Sequence, residues 1–99
     1  MEILLTVVGI QYYSDKEDLE ANQEITLMKE PANKYDKEAI AVLADADGFK
    51  KIGYIANSTK TVAKGCYSAG RLYDKIPDSI KAKILVVLDN VLICKVNVE

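Results

Sequence analysis

The sequence predicts a mainly β chain, folded as a small barrel of about six strands with one main α-helix. Three observations carry this. Segments rich in Val and Ile, or alternating between apolar and polar residues, recur at 3–13, 24–29, 39–44, 49–55, 84–88 and 91–98. Two of the intervals are short turn signals, Asp47-Gly48 and Asp89-Asn90, which join neighbouring strands as hairpins. Gly9 lies inside the first segment, where a glycine marks a bulge or the sharp bend a small barrel needs when a strand turns a corner.

In order, residues 3–13 read as one long β segment ending in Gln11-Tyr12-Tyr13. Side chains alternate across a strand, so the two tyrosines are expected to face opposite ways, one into the core and one outward. Residues 14–22 are polar and acidic, with no apolar stripe, and read as a solvated loop. Residues 24–29 alternate, with Ile25 and Leu27 on one face and Thr26 and Met28 on the other. Pro31, Asn33 and Asp36 then mark a polar loop. At Ala39 the chain turns apolar and becomes a strand through Ala44, with β-branched Ile40 and Val42. The turn 45–48 leads back through 49–55. Its carboxylates lack the spacing and closing Glu of an EF-hand, so they read as turn residues.

Asn57 or Ser58 can cap a helix through Lys64, with Val62, Ala63 and Cys66 on one face and Lys60 and Lys64 on another. Gly65 and Gly70 suggest where it ends, and a short further turn at Arg71-Leu72-Tyr73 precedes Pro77. From residue 81 to 98 the chain is again β, a hairpin that closes the core.

Composition bounds the function. Ninety-nine residues, 49% hydrophobic, suit one globular domain over 1–99 rather than a disordered tail. There is no histidine, hence neither the commonest general base nor the commonest metal ligand. Cys66 and Cys94 are far apart and have no CxxC partner, which argues against zinc and for two buried free thiols of a cytoplasmic protein. The apolar run at 3–10 is too short to span a bilayer, so no membrane role is expected. The glycines are dispersed and form no phosphate-cradling loop, and no cofactor is expected.

The net charge of −2 argues against non-specific coating of duplex DNA, but the charge is unevenly placed. Residues 1–49 carry four Lys against eleven Asp and Glu, net −7, whereas residues 50–83 carry seven Lys and Arg71 against Asp74 and Asp78, net +6. Such asymmetry marks either a basic patch for an anionic partner or two halves that attract each other on folding.

Three stretches in register carry a family resemblance: Val7-Val8-Gly9-Ile10-Gln11-Tyr12-Tyr13, the loop and strand from Glu30 to Val42, and Lys51-Ile52-Gly53-Tyr54-Ile55. Together they resemble the HIRAN domain, a module found beside SWI2/SNF2-type helicases and as stand-alone bacterial proteins. The resemblance covers residues 3–66, and the C-terminal hairpin only in general character. It implies an OB-fold-like barrel and a non-catalytic module that binds single-stranded DNA, in particular its 3′ end. On matching positions Tyr12 and Tyr35, with Tyr13 beside them, would meet the terminal bases, and Asn33 and Asp36 the terminal sugar. Gln11 stands where DNA-binding members commonly carry a basic residue against a phosphate. Lys60, Lys64 and Arg71 could supply that countercharge. A separately encoded helicase or nuclease is an expected partner.

Two other function classes compete. One is a protein-interaction or regulatory domain that kept the barrel and lost DNA affinity, for which net acidity and Gln11 speak. The other is a small metal-dependent nuclease using Glu30, Asp36 and Glu38, but these carboxylates sit on one short loop rather than converging from separate elements.

Overall fold

The computed structural model describes residues 1–13, 19–45 and 48–98. Six strands close into one antiparallel barrel in the order β1-β4-β3-β2-β5-β6. They are β1 (Glu2–Val8), β2 (Glu24–Lys29), β3 (Ile40–Asp45), β4 (Phe49–Ile55), β5 (Ser79–Val87) and β6 (Leu92–Asn97), with one α-helix, α1 (Ala69–Tyr73), between β4 and β5. The expected strands are all present. The residues that would form the tip of the β3–β4 turn, and most of the acidic loop expected at 14–22, lie outside the described residues.

The strands supply one core because their inward positions are branched aliphatics. Leu5, Val7, Ile25, Leu27, Val42, Ile52, Ile84 and Leu92 are essentially inaccessible to solvent. On β2 the expected alternation holds for Ile25 and Leu27, which are buried, whereas of the opposite face Thr26 is also buried and Met28 is exposed. Register shifts between Val42 and Leu43, and between Ile84 and Val86, bend the strands as closure requires. The seam between β1 and β4 is only two residue pairs long, Val7 with Ile55 and Val8 with Tyr54. It depends on Gly53, where an added Cβ would lie 2.6 Å from the Val8 carbonyl oxygen. Among the described residues no helix is long and apolar enough to cross a membrane.

The structure corrects the sequence reading at three points. The first strand does not run to Tyr13. It ends at Val8, Gly9 takes a left-handed conformation (φ 79°), and Ile10–Tyr12 forms a 3-10 turn. Strand alternation therefore does not apply to the tyrosines, and Tyr12 and Tyr13 both face outward, 79% and 40% exposed.

The helix does not start near Ser58. Ser58 does cap a single turn, its carbonyl accepting from the amides of Thr61 and Val62. The turn then stops, because the Ala63 amide donates to the Thr6 hydroxyl on β1 instead of continuing a helix. Thr59, Thr61 and Val62 are β-branched and favour helix weakly. The helix begins at Ala69, where the Ser68 hydroxyl accepts from the Arg71 amide, and it buries Ala69 and Leu72 in the core. Finally, of the two free thiols only Cys94 is buried, and Cys66 is partly exposed.

Candidate nucleic-acid interface

One end of the barrel carries a groove of about 420 Å³ where three chain segments meet. The first wall is the loop between β2 and β3, through Asn33, Tyr35, Asp36 and Ala39. The floor and second wall are Val8 and Tyr13 with the end of β4, Tyr54 and Ile55. The third is the turn that follows β4, through Ala56, Asn57, Ser58 and Thr61.

The β2–β3 loop holds its shape through its own side chains. The Asn33 carbonyl oxygen accepts from the amides of Tyr35 (2.9 Å) and Asp36 (3.1 Å), which closes an Asx-type turn. Its amide nitrogen donates to Glu30 Oε1 at 3.1 Å. Asp36 Oδ1 accepts from the Glu38 amide (2.9 Å), and its Oδ2 accepts from the Asn57 side-chain amide (2.8 Å) across the groove. Asn57 in turn accepts from the Gly70 amide at 2.8 Å, which ties the far wall to α1. Tyr35 stands at the loop's tip with its ring 95% exposed.

Beneath the loop lies a compact charged cluster. Glu30 Oε2 pairs with Lys51 Nζ at 2.9 Å, the Tyr54 hydroxyl donates to Glu30 Oε1 at 2.7 Å, and Lys51 donates to that same hydroxyl at 2.7 Å. The Tyr13 ring meets Tyr54 edge-on, with centroids 6.2 Å apart. Lys51 lies over both rings. Burial pushes the Glu30 carboxyl up, but hydrogen bonds from Lys51, Tyr54 and Asn33 outweigh it and hold the group below the usual carboxylate range. The Lys51 ammonium is held above its ordinary range, first by the Tyr54 hydroxyl and then by Glu30. This cluster fixes β4 to the start of the loop.

The bonding leaves different capacities at the two Asx residues. Both lone pairs of the Asn33 oxygen are taken, so it can offer a ligand at most one N–H. Each Asp36 oxygen has one partner and room for a second. Of the residues singled out in the sequence, Tyr13, Asn33, Tyr35 and Asp36 line this groove. Gln11 and Tyr12 do not, and sit exposed on the adjoining 3-10 turn. Lys60 is exposed on the turn whose Ser58 and Thr61 form the wall, and Lys64 on the turn after it, but neither is on the wall itself. Sequence reasoning passed over Tyr54, Asn57, Ser58 and Thr61. Tyr54 was within reach, in the Gly53-Tyr54-Ile55 motif. Asn57 was masked by its reading as a helix cap.

The crystal structure of the HIRAN domain of human HLTF has a similar fold, with a TM-score of 0.65 at 21% identity over 95% of this chain and 71% of that one. At that identity the likeness bears on the fold alone. No curated protein matches the chain. A model of the HIRAN domain matches residues 2–93, nearly the whole sequence, and the chain therefore belongs to the HIRAN domain family.

Proposed function

We propose that the groove binds the 3′ end of single-stranded DNA. The observation that carries this is Tyr35, whose ring is 95% exposed at the tip of a loop cross-braced by five side-chain hydrogen bonds. A large aromatic contributes nothing to folding from such a position, whereas a fixed, open ring is a platform for a base. Stacking of that kind is worth about 1–3 kcal/mol per base. Tyr13 and the more distant Tyr12 offer further ring faces. Asp36, with acceptor capacity facing the groove, suits a terminal 3′-hydroxyl. HIRAN domains are non-catalytic binding modules, and in this reading the chain delivers a strand end to a separately encoded helicase or nuclease in the cytoplasm.

The test is a fluorescence-anisotropy titration at low salt of a short single strand, the matching blunt duplex and the matching single-stranded RNA. The single DNA strand should bind best, and Tyr35→Ala should weaken it by about 1–3 kcal/mol. Equal, unmeasurable binding by wild type and variant would favour the protein-interaction reading, which the uncharged and exposed Gln11 supports.

A further inference from the structure

The basic half of the sequence does not gather at the groove. Part of it, Lys81 and Lys83 on β5, is placed with Lys95 of β6 on the side of the barrel near the start of β2. There they border a second open groove of about 260 Å³ together with Glu24 and Asn97. Lys83 and Lys95 are direct cross-strand partners. Like charges in that arrangement are unfavourable unless counter-charged. Glu24 lies directly across β2 from Lys83, yet it bonds diagonally to Lys81 at 3.2 Å. Lys95 pairs with Glu2 at 3.2 Å. Among the described residues, three ammonium groups thus share two carboxylates, and all four paired side chains are a third or more exposed. Lys81 also reaches over the ring of Phe49 at 5.9 Å, and that ring is itself 61% exposed.

We propose that this face is a second nucleic-acid contact, with Lys81, Lys83 and Lys95 meeting backbone phosphates and Phe49 stacking on a base. An exposed flat ring beside several lysines fits a nucleotide strand better than an acidic peptide, because every base has a face to stack and every linkage a charge to neutralise. The inference rests on the single-strand reading of the first groove and extends it along the barrel. Going from Glu24 to Lys29 along β2 covers about 17 Å at ~3.3 Å per residue, and the first groove's loop begins beyond it. A strand whose end lies in the first groove can therefore reach the second only if it is several nucleotides long. Among the described residues, those that line the first groove include Asp36 and no lysine or arginine, and Lys60 and Lys64 stand beside it rather than on it, so its lining offers no positive charge to hold such a strand.

The experiment compares strands of about 4 and about 16 nucleotides, the limits of single-strand site sizes on OB-folds. Each is titrated against wild type, the triple variant Lys81→Gln, Lys83→Gln, Lys95→Gln, and Phe49→Ala, with thermal melts to verify folding. Exposed ion pairs add little to stability, so the triple variant should fold. Wild type should bind the long strand more tightly and with a steeper salt dependence. The triple variant should lose that advantage, its salt slope falling by about 2 for three phosphates at ~0.7 each, while the short strand binds as before. A length advantage unchanged in a folded triple variant overturns the proposal and leaves the first groove's role standing. Lysine-dependent binding of the long strand that ignores Tyr35→Ala overturns the first groove's role instead. Preference of this face for a polyglutamate peptide over the strand overturns the nucleic-acid assignment.

Discussion

Glu30 is the point at which the β2–β3 loop is anchored to the barrel, and Glu30→Gln tests how much that anchor matters. The substitution keeps the shape and removes the charge. It leaves Lys51 facing a neutral amide and lets only one oxygen accept, where two now take bonds from Asn33, Tyr54 and Lys51. Hydrogen bonds to charged groups are worth about 1.5–3 kcal/mol when buried. Here the side chains of Glu30 and Lys51 are 27% and 33% exposed, so solvent screening reduces the sum to about 1–2 kcal/mol. For a chain of this size each kcal/mol moves the melting temperature by about 4–8 °C. The variant should therefore melt roughly 4–16 °C below wild type at pH 7, and bind single strands more weakly because Asn33 is no longer held. The pH dependence has a definite sign. The folded Glu30 lies below its ordinary value, so on acidification the unfolded chain takes up the proton first. Its contribution is complete above the unfolded pKa of about 4.3 and is lost as pH falls through the folded value. The gap between wild type and variant should accordingly narrow from pH 5 downward. A variant melting within a degree of wild type at pH 7, with the same acid profile, would refute the anchoring argument.

Gly53→Ala should destabilise the barrel by about 1–3 kcal/mol in a urea melt, since the new Cβ meets backbone at Val8 and the side chain of Val7, and backbone yields least. Asp36→Asn should shrink the preference for a free 3′-hydroxyl over a 3′-phosphate from about tenfold, ~1.4 kcal/mol, towards none, while leaving stacking in place. A well-folded Asp36→Asn protein with unchanged preference would remove this role. Burial pushes the Cys94 thiol up to about 12, so iodoacetamide at pH 8 should leave it unmodified in the folded protein and modify it in urea, as peptide mass spectrometry would show.

The strands were legible because each has a local cause: β-branched residues, alternation, and glycine or aspartate at the turns. Residues 24–29 of the reading are β2 to the residue. What failed was decided by distant partners. Ser58 begins a helical turn as its sequence suggests, but Thr6, fifty-seven residues before Ala63, takes the amide that would have extended it. Nothing local to residues 58–64 announces that competition. The strand through Tyr13 failed for a subtler reason: Gly9 was read as a bend within a strand, and the positive φ it adopts ends the strand altogether. The consequence reaches the site. A continuous strand would have buried one tyrosine, whereas the 3-10 turn brings both rings out.

The family resemblance sets both Asn33 and Asp36 against the terminal sugar, and only the charge of Asp36 marks it as the acceptor for a hydroxyl. The hydrogen bonds separate them. Asn33 is taken up in building the loop, with its oxygen saturated by two amides and its nitrogen tied to Glu30. Its replacement should loosen Tyr35 and Asp36 together. Asp36 is held from both sides, by the Glu38 amide and by Asn57, yet keeps acceptor positions on each oxygen. In the proposed function, recognition of an end would fall on Tyr35 for the base and Asp36 for the hydroxyl, with Asn33, Glu30 and Asn57 fixing where those two stand. Truncating any of the three should cost affinity without removing a ligand contact, because preorganisation of the pair is what they supply.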